Sequence, residues 1–176
     1  MLLILTAHDA NGEGWLNLGG RYVALGKLEI KIPDSWRMMR GFENQLLLTR
    51  DGIYLQLFVI GLTSIEAEFA HTKKKLPPGA SPDAIIDVVV ENFRSNPAIT
   101  NFKLLESGTA MLGGINAPKI VYSYEGDYGV KKMGIYAALP INDQCYFFQY
   151  QAPARHYFQR DLASVDGALQ SLIILQ

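Results

Sequence analysis

Hydrolytic or nucleophilic chemistry needs an activated nucleophile, a base, and an acid that orients the base. This chain offers three histidines, His8, His71 and His156, and one cysteine, Cys145. No histidine lies in a Gly-x-Ser-x-Gly turn or close to Cys145 in sequence. Cys145 stands between Gln144 and Tyr146, a setting that suits a small, partly buried strand residue. A metal site could be sought in Glu66-x-Glu68-x-x-His71. On a strand Glu66 and Glu68 share a face while His71 points the other way. On a helix Glu68 and His71 share a face and Glu66 sits far around. Neither geometry converges three ligands, and a single cysteine excludes a multi-cysteine metal site. Glu125, Asp127 and Asp143 could pair as acid and base, but each sits in or beside a turn with Gly or Asn, where Asp serves the backbone. Gly19-Gly20 and Gly113-Gly114 lack the spacing of phosphate-cradling loops. No catalytic set, metal or cofactor is expected.

The aromatic residues carry more information. Tyr122 and Tyr124 fall on one face of a strand, and Tyr146, Phe148 and Tyr150 on one face of another, as core beneath a helix would. Tyr128, Tyr136 and Tyr157 are less easily placed inside, and a partly exposed tyrosine cluster suits partner binding. Two loops are expected to form the working surface, 71–80 (HTKKKLPPGA) and 125–131 (EGDYGVK). Their candidate binding residues are Lys73, Lys74 and Lys75 in the first, and Asp127 and Tyr128 in the second, since none is demanded by a core. The lysine run is too short for a nucleic-acid footprint. A formal net charge of −1 argues against a nucleic-acid partner altogether.

These residues are positioned by elements that can be read from pattern. Leu28–Ile32 alternates strictly, a half-buried strand that Pro33-Asp34 stops, with Trp36 following as a core anchor. Gln45–Thr49 and Ile53–Ile60 flank Arg50-Asp51-Gly52, a hairpin signal because the turn requires positive φ. The second run is apolar almost throughout, as in an interior strand covered on both faces. Residues 66–80 read as a loop. Ser81 caps a helix, Pro82 suits its first position and Asp83 complements its dipole. Ile85, Val88, Val89 and Phe93 share its apolar face, and Asn96-Pro97 ends it. Phe102–Gly108 is a strand, followed by a turn at Leu112-Gly113-Gly114. Strands at 119–125, 130–138 and 144–151 come next, then a helix from about 155 to 173 with Phe158, Leu162, Val165, Leu169, Leu172 and Ile173 on one stripe. Gly167 inside that helix costs roughly 1 kcal/mol against Ala, or marks close packing. Short turns between adjacent strands imply antiparallel pairing. The expected class is α+β, an α/β/α sandwich with a mainly antiparallel sheet of about six strands and two main helices. The six strands are those near 28–32, 45–49, 53–60, 119–125, 130–138 and 144–151.

At 176 residues, with 49% hydrophobic and 19% charged residues, the chain suits one domain with a real core. Residues 25–176 are expected to form it, behind an N-terminal segment 1–24. Met1–Ala7 (MLLILTA) is apolar, yet lacks the basic flank of an export signal. It reads either as the remnant of such a signal or as an extra strand. No stretch reaches the ~18–20 apolar residues that span a bilayer.

Several phrases resemble the PsbP/Mog-like (DcrB-like) superfamily. Lys31-Ile32-Pro33-Asp34-Ser35-Trp36 is similar to its strand-proline-x-x-tryptophan opening. Ala117–Tyr122 (APKIVY) resembles its mid-chain strand after a Gly-rich turn, and Tyr150-Gln151-Ala152-Pro153 its closing step from strand to helix. Phe69–Lys74 (FAHTKK) and Arg155–Phe158 (RHYF) look more narrowly like uncharacterised proteobacterial envelope lipoproteins of this type. Leu5-Thr6-Ala7 also resembles the residues before a lipobox cysteine, although His8 stands where that cysteine would. The superfamily includes photosystem PsbP proteins, Ran-binding Mog proteins and bacterial envelope proteins, with no common catalytic set. The resemblance implies a non-enzymatic binding or assembly module of the bacterial cell envelope, acting through contacts with a protein partner. It implies a periplasmic or envelope location, with the cytoplasm as the alternative, and peripheral membrane association if the chain is lipid-anchored. A binder of small apolar ligands, using a cleft between sheet and helix, is the alternative function. A hydrolase with an unrecognised site is the second alternative.

Overall fold

Near-continuous burial along the central strands gives this protein a sheet with two apolar faces. The computed structural model describes residues 14–40 and 44–175. In chain order the elements are β1 (Leu16–Asn17), β2 (Tyr22–Leu25), β3 (Leu28–Lys31), β4 (Arg37–Arg40), β5 (Gln45–Thr49), β6 (Leu57–Ser64), α1 (Pro82–Arg94), β7 (Thr100–Leu112), β8 (Ile115–Glu125), β9 (Lys131–Ile141), β10 (Gln144–Pro153), α2 (Tyr157–Gln170) and β11 (Ile173–Ile174). The main sheet has the order β1-β4-β5-β6-β10-β9-β8-β7, and every neighbouring pair is antiparallel. A second, three-stranded sheet has the order β11-β3-β2.

The α+β class and the antiparallel pairing match the expectation, but the main sheet holds eight strands among the described residues, not about six. Two differences explain this. The 28–32 run lies in the small sheet, between the chain's last strand and β2, because its buried residues Leu28, Ile30 and Ile32 face α2 and not a neighbour in the large sheet. The large sheet gains β1, β4 and β7, of which β7 is longer than the Phe102–Gly108 run suggested. The apolar segment Met1–Ala7 lies outside the described residues.

Turn chemistry fixes the register. Gly113 and Gly114 take φ of 55° and 84° and join β7 to β8 directly, with Leu112 opposite Ile115. Only glycine adopts two successive positive φ angles at no steric cost, and this turn matches the right-handed strand twist. The Arg50-Asp51-Gly52 signal also marks a real hairpin, since β5 pairs β6. Its connection is longer than a two-residue turn. Gly52 accepts bonds from the N–H groups of both Leu55 and Gln56, so residues 50–56 coil and β6 begins at Leu57, not at 53.

The two faces of the sheet bury different partners. On one side α2 and the small sheet cover Phe58, Ile60, Tyr146, Phe148 and Tyr150, with Trp36, Phe158 and Val165. On the other, α1 lays Ile85, Val89 and Phe93 against Ile120, Tyr122 and Tyr124. Ser81 caps α1 as the sequence implied, its Oγ accepting from the Ala84 N–H at 3.3 Å. Among the expected helix-face residues Leu162 and Val88 are half-buried, and Ile173 is exposed because α2 ends at Gln170 and Ile173 belongs to β11, while the others are buried. Gly167 is exposed, and a Cβ there would meet nothing within 4 Å, so it is a propensity defect and not a close contact.

Candidate functional site

α1 packs over β7 and β8, the far side of the sheet. The same face of β5, β6 and β10 is left beside it, and the segment after β6 folds across part of that gap. What remains is a cleft of about 280 Å³. Its floor is built by a close approach. Opposite Phe147 on β10 stands Gly61 on β6, and a Cβ at Gly61 would fall 2.0 Å from the Phe147 ring. The missing side chain lets the ring lie flat across the neighbouring strand. Tyr136 on β9 continues the floor, its ring parallel to that of Phe147 with centroids 6.4 Å apart. Val89 and Phe93 of α1 form one wall. Phe93 meets Tyr136 edge-on at 5.8 Å. The opposite rim comes from Ile65, Ala67, Glu68 and Phe69, with Leu76 closing it.

Polar groups enter this apolar cleft at few points. Gln149 donates from Nε2 to the Tyr122 hydroxyl at 3.1 Å. Asn92 accepts the His71 N–H at 3.0 Å, which ties the rim to α1. Gln45 and the Tyr136 hydroxyl line the cleft with no hydrogen-bond partner among the described residues. Burial pushes the Tyr136 phenol well above its ordinary value, with the nearby Cys145 adding to the rise. Burial also pushes the Cys145 thiol up to about 11. The thiol is 4% exposed, and no imidazole acts on it, so it is a small strand residue as expected and not a thiolate nucleophile.

A second polar cluster lies on the opposite face. Asp161 has 0% exposure, although it sits in the apolar stripe of α2 between Phe158 and Val165. Its carboxylate accepts from Arg50 at 3.1 Å, from Gln56 at 3.0 Å and from Arg160 Nε at 3.1 Å. Arg160 also bonds Asp51 and stacks over the Tyr157 ring at 4.9 Å. The Gln56 amide and then the Arg160 guanidinium hold the Asp51 carboxyl below its ordinary value. The bond to Asp161 holds the Arg160 guanidinium firmly in its charged form. Among the described residues no histidine joins this cluster. It clamps the 50–56 loop to α2. Sequence reading missed it, yet a signal was present: an aspartate inside an apolar helix stripe demands buried partners.

The expected site residues fall in two places. The loop carrying Lys73–Lys75 leaves the sheet where β6 ends opposite Gln144. Tyr128 sits in the β8–β9 turn at the other end, where Glu125 pairs with Lys131. Lys74 bonds Glu91 of α1 at 2.6 Å, and Lys75 lies 3.8 Å from Glu66, so two of the three lysines hold the loop in place. Lys73 is exposed at a φ of 58°. Tyr128 is fully exposed at a φ of 60°. The side chain of Asp127 lies outside the described residues. The expected tyrosine cluster is dispersed: Tyr128 in a turn, Tyr136 in the cleft, Tyr157 against Arg160 on the other face. Glu125 and Asp143 occupy opposite ends of the sheet and form no pair, and Glu125 instead accepts from Asn101 at 2.7 Å. Among the described residues no group of His, Cys, Asp and Glu could hold a metal ion, and no helix is long and apolar enough to cross a membrane.

This architecture is the PsbP/Mog-like fold. The chain superimposes on the cyanobacterial PsbP of Synechocystis with a TM-score of 0.60 at 10% identity, over 97% of this chain and 98% of that one. The match to LpqN of Mycobacterium tuberculosis, described as involved in cell envelope biogenesis, has a TM-score of 0.57 at 15% identity, over 85% and 83%. The Ran-binding protein Mog1p of Saccharomyces cerevisiae matches at 0.54 and 10% identity, over 90% and 97%. The chain spans 48% of a larger Bacteroides thetaiotaomicron structure that it also resembles. No family model and no curated protein sequence matches this chain.

Proposed function

We propose that this protein is a non-enzymatic binding module that takes a small apolar group into the cleft beside α1. The observation that carries the reading is the cleft itself: about 280 Å³, walled by Phe93, Phe147, Phe69 and Leu76, on the face of the sheet that α1 covers only in part. Ligand sites of this kind are concave and mostly apolar, with a few placed polar groups. The setting we propose is the bacterial cell envelope, supported by the likeness to LpqN. The test is an NMR titration of ¹⁵N-labelled protein with toluene. Shifts should concentrate at Val89, Phe93 and Phe147, and Ala67→Phe, which adds a ring at the half-buried rim, should abolish them while the protein stays folded. Shifts scattered over the surface, or unchanged in the Ala67→Phe variant, would refute the reading.

A second reading, contact with a protein partner through loops 71–80 and 125–131, is favoured by one observation, the fully exposed Tyr128. Rigid, amphipathic tyrosines of this sort anchor interfaces. Tyr128→Ala should weaken partner capture and leave stability within roughly 0.5 kcal/mol. Equal capture by both proteins would remove that surface from consideration.

A further inference from the structure

We infer that the cleft selects a neutral amphiphile, of medium chain length or a single ring, whose hydroxyl or carboxamide head bonds to Tyr136 and the neighbouring amides. The inference rests on the cleft being a binding site and adds what kind of ligand fits it.

The first argument is charge. Among the described residues no lysine, arginine or histidine lines the cleft, and the one carboxylate at its rim is Glu68. An anionic head group would lose its hydration and meet a like charge with no cation to offset either cost. Lys74 and Lys75 do not answer this, since both are engaged with acids of their own. A fatty acid or phospholipid head is therefore the wrong occupant.

Hydrogen-bond capacity is the second argument. Tyr136 Oη has no partner among the described residues, and its raised pKa keeps it a neutral donor and acceptor. The Gln45 side-chain amide likewise has no partner among the described residues. Gln149 and Asn92 each use one end of their amide and leave the other unassigned. Each free amide end, together with a phenol, offers donors and acceptors without charge. A hydroxyl or primary amide satisfies both kinds at once, whereas a pure hydrocarbon would seal these groups away from water unpaired.

Size is the third. At ~30 Å³ per water, about 280 Å³ holds on the order of nine waters or a similar count of ligand heavy atoms. An eight-carbon alcohol or amide has that size, while a full-length acyl chain exceeds it.

The experiment compares 1-octanol, octanamide and octanoate by NMR titration at neutral pH, on the intact chain and on Tyr136→Phe. Octanol and octanamide should bind with shifts at residues 89–93 and 145–149, at least about tenfold more tightly than octanoate. Tyr136→Phe keeps the ring and removes only the unpartnered hydroxyl, so its melting temperature should be unchanged or slightly raised. Its affinity for octanol should fall about three- to tenfold, the size of one net hydrogen bond, while its affinity for toluene stays the same. If octanoate binds as well as octanol, or Tyr136→Phe loses nothing, the head-group selectivity is wrong although the cleft still binds. If none of the three probes nor toluene shifts the cleft residues, the cleft reading falls as well.

Discussion

The two faces of one sheet are packed to different ends. Beneath α2 and the small sheet, Trp36, Phe58, Tyr146, Phe148 and Phe158 are all within 2% of full burial, and Phe158 stacks on Tyr150 at 5.5 Å. The Tyr146 hydroxyl accepts the Lys27 N–H at 2.8 Å and ties the β2–β3 turn to the core. Beneath α1 the packing is equally close near Tyr122, whose ring lies across Gly134, but it stops short of β5 and β6. There Phe147 is half-buried beside an open cleft. The reason is coverage. α2 is joined by a second sheet in covering the centre of its face, whereas α1 is a single 13-residue helix over a wide sheet and a loop must cover the remainder. Both faces bury a core, and the one beneath α1 keeps an open cleft beside it.

Two phenylalanines test that contrast most strongly. Phe158→Ala, in the filled face, should cost about 3–5 kcal/mol by lost transfer energy and cavity formation. Phe147→Ala, already half in solvent, should cost under about half as much. Chemical denaturation of both variants measures the difference, and equal costs would mean that the cleft is closed in solution.

The polar clamp gives the next largest effect. Asp161→Asn keeps the shape and removes the charge that Arg50, Gln56 and Arg160 converge on. It should cost about 1.5–3 kcal/mol, since bonds to charged groups carry that range. Arg50→Ala should cost under about 1 kcal/mol, because that side chain is 41% exposed and its pairing is screened. The reverse order would show that the clamp is held from the loop and not from α2.

A smaller effect of opposite sign is expected at Gly167. With open space around a Cβ, Gly167→Ala should stabilise α2 by up to about 1 kcal/mol. A loss there would mean that the helix packs more tightly at that point than the filled face otherwise shows.

The pH response is the smallest signal. The Asp51 carboxyl is held below its ordinary value of 3.8, so the fold favours the ionised form. That contribution is present above about pH 4 and is lost as the pH falls through the lower, folded value. Asp51→Asn should therefore cost a small amount of stability at neutral pH and flatten the loss below pH 4, where the two proteins converge. An unchanged acid limb in the variant would detach Asp51 from the clamp.

Much of this protein is written locally. The β7–β8 turn, the Ser81-Pro82 cap, the Asp-Gly hairpin and the apolar stripes of both helices follow from backbone preferences and burial period, which act over a few residues. The class of fold was legible for that reason. The resemblance at the KIPDSW and APKIVY stretches pointed the same way as the fold that emerged. Pairing between distant segments was not legible. Leu28–Ile32 alternates as any half-buried strand does, and only long-range packing sends it to the small sheet beside the chain's last residues. The length of the β5–β6 connection depended on Gln56 and Asp51 finding partners on α2, 105 residues away in the case of Gln56 and Asp161. The candidate site shows the same division. Glu66, Glu68 and Lys73–Lys75 could be read as a polar loop, but not that the loop would be bound to α1 by Lys74 and would leave a cleft behind it. A cleft has no sequence pattern, because it is the absence of packing between elements that each bury their own apolar face correctly. Composition and spacing determined what the elements are. Only the tertiary structure decided which surface they leave unfilled.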